Sequence, residues 1–539
     1  MKMKTIYYNL LLSIYIAISA CTSDTKKEEA AEMNTAASYY TEQHRPQFHF
    51  SPEKMWMNDP NGMVFYNDEY HLFYQYYPDS TVWGPMHWGH AVSKDLVHWE
   101  HLPIALYPDS LGYIFSGSAV VDWNNTSGLG TEENPPLVAI FTYHDAEGEK
   151  EGRNDYQTQG IAYSLDNGRT WEKYADNPVL ENPGIKDFRD PKVSWHAATE
   201  KWVMILAVLD HVELYGSKDL KSWEKLSEFG KEVGAHGGVW ECPDLFPLPV
   251  EGQDAQKWVM LLSINPGGLY GGSATQYFIG DFDGKEFKNE NPADKILWLD
   301  YGKDNYAGVT WSDVPEEDGR RIFMGWMSNW QYADRVPTSP WRSAMTIPRT
   351  LTLMPTPAGT RLKSTPVQEL TAIRGDSLVL ESQSVEGEVE ITPEVSFAIS
   401  TSELILEFAD IQSSTDFGIE LSNPDNQKLT IGYETDQNRF YIDRTEAGDS
   451  SFSSEFSDKY YAPRISTDDA LKLHLFIDVS SVELFADDGE VVMTELFFPD
   501  AVFDQLKLYA KGGTVTLQSG KVIDLNAVWE EKAELLSRK

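Results

Sequence analysis

Three short motifs in the first half of the chain each set one carboxylate among turn-forming, aromatic or basic residues: Trp56-Met57-Asn58-Asp59-Pro60-Asn61-Gly62, Phe188-Arg189-Asp190-Pro191 and Trp240-Glu241-Cys242-Pro243. Asp59, Asp190 and Glu241 lie 131 and 51 residues apart, so they would come from different structural units. Cleaving an acetal between two sugars needs such a set: one carboxylate to attack or stabilise the sugar cation, and one carboxylic acid to protonate the leaving oxygen. Each motif alone is weak evidence, because Asn-Asp-Pro-Asn-Gly is also the composition of a tight turn. All three in one chain suggest glycoside hydrolysis.

The elements expected to position these acids are strands. From about Gln47 the chain is a series of short aromatic and β-branched runs broken by turn residues, an all-β signal. A degenerate repeat sharpens it: Ser93-Lys94-Asp95 leading to Trp99, Ser164-Leu165-Asp166 to Trp171, Ser217-Lys218-Asp219 to Trp223, with a fourth copy at Asp283 and Phe287. The anchor aromatics are 72, 52 and 64 residues apart, a spacing suited to four-stranded propeller blades with variable loops. A tight turn followed by a packed aromatic explains these copies as outer hairpin turns without any ligand. A propeller also delivers acids well, since the innermost strands of successive blades converge on one axial pocket.

Blade-like sequence is expected over residues 46–354. Residues 355–366, with Pro355, Pro357, Gly359 and Pro366, read as an interdomain connection. Tryptophan then almost vanishes and alternating strands return, so residues 367–539 are expected to form a β-sandwich closing on a short helix at 530–536.

At 539 residues the chain is long enough for two substantial cores. A formal charge of −40 argues against a nucleic-acid partner, whose phosphates need a cationic face, and serves solubility. Two cysteines, Cys21 and Cys242, provide no disulfide framework. Residues 1–20 carry Lys2 and Lys4 before an apolar run at 10–18 and read as a signal peptide. Ile18-Ser19-Ala20-Cys21 resembles a bacterial lipobox, which implies a lipid anchor on Cys21 and no transmembrane helix. Residues 21–45 read as a flexible tether, and Lys26-Lys27-Glu28-Glu29 resembles the surface-export signal of Bacteroidetes lipoproteins. The expected location is the bacterial cell envelope, on the outer membrane with a surface-exposed face.

The motifs resemble those of glycoside hydrolase family 32, the invertase, inulinase and levanase family. The resemblance rests on the three acidic motifs, Phe115-Ser116-Gly117-Ser118, Gly325-Trp326-Met327-Ser328-Asn329-Trp330 and Pro340-Trp341-Arg342. It implies a five-bladed β-propeller followed by a C-terminal β-sandwich. It also implies Asp59 as nucleophile, Glu241 as acid/base and Asp190 as the transition-state stabiliser of a retaining reaction. Asn58, Gln75, Trp83, Phe115, Ser116, Arg189 and Trp326 would surround a terminal fructose, with Trp311 and Trp330 as nearby alternatives for the last wall. Arg189 would hold Asp190 charged, and Cys242 would pack behind Glu241. No cofactor is expected. His87, His90, His98 and His101 look like a metal cluster by composition, but they have no recognised ligand spacing.

The activity implied is release of fructose from β-fructans such as levan and inulin, with sucrose and fructo-oligosaccharides as smaller candidate substrates. Three alternatives stay open within the resemblance: an endo-acting levanase or inulinase, fructosyl transfer to a sugar acceptor, and a non-catalytic fructan-binding lipoprotein. A five-bladed glycosidase acting on arabinan or xylan is a fourth.

Overall fold

A computed structural model describes residues 39–392 and 395–529. Five antiparallel sheets follow one another along the chain as the blades of a propeller. Their innermost strands are Met55–Tyr66, Tyr113–Val121, Phe188–His196, Val239–Pro249 and Tyr306–Thr310 for blades I to V. Each contacts the innermost strand of the next blade, and the fifth contacts the first, so the ring is closed. Trp341–Arg342, which follows the second strand of blade V, pairs in parallel with Met55 and Trp56 of blade I and helps fasten the ends.

The degenerate repeat forms the turn between the third and outermost strands in blades I to IV. The Asp95 carboxylate accepts from the backbone N–H groups of Val97 and His98, and Asp219 does the same for Lys221 and Ser222. The anchor indoles then donate back into the turn, Trp99 to Leu96, Trp171 to Gly168 and Trp223 to Leu220, at 3.0–3.2 Å. Each copy is therefore a self-contained Asx-type turn with an aromatic lid.

Blade V extends further than the sequence suggests. Arg349–Thr356 and Gly359–Pro366, the second of which falls within the expected interdomain connection, pair from Arg349–Pro366 to Thr356–Gly359 as its two outer strands. The expected connection at 355–366 is thus a hairpin. Prolines are tolerated there because these strands lie toward the blade's periphery and Pro357 occupies the turn.

The C-terminal domain is a two-layered sandwich whose layers share one 21-residue strand, Gln505–Leu525. Its first part pairs with Asp416–Ser422 and with Gly387–Glu390 in one layer, while Gln383–Glu386 pairs with it beyond the crossing. Its second part pairs with Arg374–Leu380 and Ser402–Ala409 in the other. Gly512 and Gly513, both at positive φ, lie at the crossing. Alternate residues such as Phe417, Ile419 and Leu421 or Leu471, Leu473 and Leu475 fill the space between the layers.

The two domains share buried apolar and ionic contacts. Met345 and Ile347 of the propeller cluster with Phe476 and Phe485. Buried Arg349 of blade V is paired with Glu483 of the sandwich and with Asp300, and Arg444 of the sandwich with Asp304 of the propeller. His49, on the segment leading into blade I, lies between Asp478 (2.8 Å) and Glu483 (2.9 Å). The expected signal peptide, tether, Cys21 and terminal helix fall outside the described residues.

Candidate active site

The innermost strand of every blade loses register with its neighbour near the axis, at a motif in blades I to IV; blade I has a second shift between Asn61 and Val64. One extra residue is accommodated at Asn58-Asp59, Phe115-Ser116, Asp190-Pro191, Cys242-Pro243 and Ala307-Gly308 in blades I to V. A bulge turns a strand residue out of the ladder and re-aims its side chain. Here five bulges face one axis. Asp190, Cys242 and Ala307 have left-handed φ of 64°, 46° and 54°, each costing about 1–2 kcal/mol for a non-glycine residue. Pro60, Pro191 and Pro243 follow the displaced residues, where a ladder N–H would have no partner anyway.

The bulges bring the three acids together. Asp59 accepts from the Ser116 hydroxyl at 2.7 Å, the Asn58 amide at 2.9 Å and the Cys242 thiol at 3.5 Å. Asp190 accepts from the backbone N–H of Cys242 at 3.0 Å, and the same thiol lies 3.7 Å from its carboxylate. Cys242 therefore touches two acids of the set from its place beside the third. Glu241 is held at both oxygens: the Arg189 guanidinium donates to Oε1 through two nitrogens, at 2.9 and 3.2 Å, and the Tyr306 hydroxyl bonds Oε2. Arg189 is fixed from the other side by Asp187 at 2.6 Å. Beneath the acids, Lys192 bonds Thr310 O and pairs with Asp244 at 3.4 Å. Asp244 in turn accepts from the Thr310 N–H and hydroxyl, so blades III, IV and V are tied under the pocket floor.

Burial dominates the electrostatics. It raises Asp59 above the usual carboxylate range, against the Ser116 hydrogen bond and with help from the nearby Glu241 charge. It pushes Asp190 up to about 7; Arg189 opposes this, while Glu241 and Asp59 add to it. The expectation that Arg189 would hold Asp190 charged is corrected: the guanidinium spends its hydrogen bonds on Asp187 and Glu241, and the cost of burying the carboxylate wins. Burial also pushes the Cys242 thiol well up, so it stays protonated and acts as a donor. Three carboxylates facing one guanidinium favour retention of a proton within the group.

The other expected residues divide into those at the acids and those behind. Asn58 and Ser116 bond Asp59 directly. Gln75 is buried and donates to Ile114 O at 3.1 Å, which takes it off any solvent face. Phe115 lies flat on His144 (centroids 4.2 Å apart, interplanar angle 4°), and Trp83, 42% exposed, meets its edge at 6.0 Å. Trp326 does not line the pocket: it is fully buried among Trp56, Tyr306 and Trp330. Trp330, only partly buried, stacks on Trp56 at 5.8 Å and has the exposed surface a wall requires. Trp311 is also buried, donating to His71 O. Of the four histidines, His90 stacks on Phe73, His87 bonds Pro85 O, His98 pairs with Asp95 and His101 bonds Tyr40, so they do not converge.

Tyr306, Asn61 and Thr142 were not singled out from sequence. Asn61 donates to Asp59 O and accepts from the Gly117 N–H, and Thr142 accepts from the Asp190 N–H, so both fix the bulges themselves. Asn61 stands inside the first acidic motif; for Tyr306 and Thr142 the only signal is position, on the innermost strand of blade V and the second strand of blade II.

The N-terminal domain description of glycosyl hydrolases family 32 matches residues 49–366 and the C-terminal one residues 369–524. A levanase of Bacillus subtilis (strain 168) is 52% identical over 508 residues, covering 92% of this chain and 72% of that protein. The extracellular exo-inulinase of Aspergillus ficuum is 40% identical over 521 residues, covering 91% and 96%. The crystal structure of exo-inulinase from Aspergillus awamori superposes with a TM-score of 0.84 at 37% identity, covering 91% of this chain and all (100%) of that one. Matched family domains over residues 49–366 and 369–524, five blades and three acids gathered at their bulges place the chain in glycoside hydrolase family 32.

Proposed function

We propose that the protein is a retaining, exo-acting fructan hydrolase in which Asp59 is the nucleophile and Glu241 the acid/base. The observation that carries the assignment is the unequal surroundings of the acids. Donors from Ser116, Asn58 and Cys242 surround Asp59 and oppose the burial that raises it, so they stabilise the negative charge that attack on the anomeric carbon requires. Arg189 holds Oε1 of Glu241 and the Tyr306 hydroxyl bonds Oε2, so the carboxyl is fixed in orientation at the pocket for proton transfer to and from the substrate. Asp190 sits between them, suited to hold sugar hydroxyls as charge develops. Attack by Asp59 with protonation of the leaving oxygen by Glu241 gives a fructosyl-enzyme. Water, deprotonated by Glu241, then hydrolyses it with net retention.

A glycosidase of the fructan β-fructosidase type fits the family and the names of its relatives. Exo action is supported by the exo-inulinase likeness, which spans nearly the whole of that protein (96%). Purified protein given levan, inulin and sucrose separately should release fructose alone from the earliest time point. An oligosaccharide ladder would establish endo action, and silence on all three would remove the assignment.

Lipid anchoring at Cys21, with outer-membrane and surface placement, belongs to the same proposal and rests on the Ser19-Ala20-Cys21 leader and the Lys26-Lys27-Glu28-Glu29 stretch after it. Cys21→Ser should shift the protein from the detergent phase to the aqueous phase.

A further inference from the structure

The sandwich layer that holds Lys459–Pro463, Arg439–Glu446, Lys428–Glu434 and Asp416–Ser422 turns one face away from the core, and that face carries a depression of about 320 Å³. A single row runs across six strands in register, Glu388, Tyr509, Gly418, Gly432, Tyr441 and Tyr461, and of these Glu388, Tyr509 and Tyr441 line the depression. Two adjacent glycines in the middle of two strands cost about 0.5–1 kcal/mol each relative to alanine. Space explains them. A Cβ on Gly432 would lie 2.2 Å from the Tyr509 hydroxyl and 2.8 Å from the Tyr441 ring. The two tyrosines therefore reach across the glycine trough, 2% and 5% exposed, and their hydroxyls meet at 2.5 Å. Both also donate to Asp416, at 2.9 and 3.1 Å.

The rim identifies the ligand chemistry. Four lysines surround the depression, and each is already paired: Lys428 with Glu446, Lys459 with Glu434, Lys507 with Glu388 and Glu420, Lys511 with Asp416. An anion would have to displace these carboxylates. A neutral polyol would not, since its hydroxyls donate to the spare lone pairs of the carboxylates and accept from the spare N–H groups of the ammoniums.

Position links the depression to the acids. Tyr461, paired with Tyr441 at the end of that row, is gripped by Tyr270, whose hydroxyl accepts from the Tyr461 N–H at 2.8 Å and donates to its carbonyl. Tyr270 belongs to the blade IV loop that ends at Ser273, and the Ser273 hydroxyl accepts from the Trp330 N–H at 3.1 Å. One loop thus joins the aromatic wall of the catalytic pocket to the edge of the sheet that carries the depression.

We propose that this depression is a non-catalytic site for a fructosyl stretch of the polymer whose end is being cleaved, which rests on the fructan-hydrolase assignment above. Binding is measured with the full chain carrying Asp59→Ala, by retardation in native gels containing levan or inulin, with dextran as the unrelated polymer. Thr430→Arg, which fills the depression, and Lys507→Ala, which removes one of its donors, are each compared with this parent at matched thermal midpoints. Filling the site should weaken retention by levan or inulin about tenfold. In the active background the same changes should slow polymer hydrolysis relative to sucrose hydrolysis. Equal retention of parent and both folded variants overturns the proposal and leaves an ordinary solvated charge ladder. Retardation by dextran equal to that by levan and inulin also overturns it. Failure of the unmutated enzyme to release fructose from any substrate overturns the catalytic assignment instead, while the retention comparison still judges the depression.

Discussion

Asp190→Asn should make the protein more stable and nearly inactive, with a stability gain that depends on pH. Asp190 is 5% exposed and raised from 3.8 to about 7, chiefly by burial. Because its native pKa lies above the unfolded one, stability from this group is full below about pH 4 and is lost as pH rises through 7. The accumulated cost of the ionised form is about 4 kcal/mol at pH 8 and about 2 kcal/mol at pH 5. Asparagine removes the cost. It can keep the hydrogen bond from the Cys242 N–H, but its amide NH₂ must find a new partner near Asp59, a loss of about 1 kcal/mol. The net gain is about 3 kcal/mol at pH 8 and below about 1 kcal/mol at pH 5. At about 1 kcal/mol per degree for a chain of this size, the thermal midpoint should rise about 3 °C at pH 8 and 1 °C or less at pH 5. Turnover of fructan should fall a hundredfold or more, since charge-assisted hydrogen bonds to sugar hydroxyls are worth about 1.5–3 kcal/mol each. Differential scanning fluorimetry at the two pH values, with fructose release, checks all of this. A variant less stable than its parent at pH 8, or one with the same gain at both pH values, would refute the account of burial as the dominant cost.

Tyr306→Phe removes the hydroxyl bonded to Glu241 Oε2; steady-state kinetics should show turnover down by about ten- to a hundredfold with little change in KM. Unchanged turnover would remove Tyr306 from the machinery. At His49, burial alone would lower the pKa, but Asp478 and Glu483 more than offset it and raise it from 6.5 to about 9. That contributes about 3 kcal/mol below pH 6.5, lost as pH rises through 9. Thermal midpoints should therefore fall across that window in the parent and stay flatter in His49→Gln; parallel curves would contradict it. Ending the chain after Pro366 bares Met345 and Ile347 and leaves Arg349 without Glu483, so the propeller alone should be insoluble. A soluble and active fragment would show that the propeller is self-sufficient.

The parts of the fold legible in the sequence are those written in local chemistry. The repeat of serine, aspartate and tryptophan is visible because each copy closes its own hydrogen bonds within a few residues, as Asp219 and Trp223 do. The acids are visible because each sits in an unusual string of turn residues. Trp326 and Trp330 were not separable, because they share a motif and differ only in which side of the strand end faces the core. The 355–366 hairpin was hidden because its prolines read as breakers, while the pairing that absorbs them involves residues up to 17 positions apart.

Tyr306 shows the deeper limit. It lies in a strand with no acid, so a search for carboxylates passes over it, yet it is the last paired residue before the bulge of blade V, as Glu241 is in blade IV, while Asp59, Ser116 and Asp190 sit within the bulges of the other three. A regular strand alternates its side chains between two faces and cannot aim adjacent backbone positions at one point. A bulge can, at the cost of local ladder bonds and of left-handed backbone at Asp190, Cys242 and Ala307. The surrounding ring is what makes that cost bearable, because blades packed face to face fix both flanks of every bulge. Chemistry is thus placed where the fold departs from its own regularity, and Tyr306, like Ser116, follows from this rule without carrying a charge.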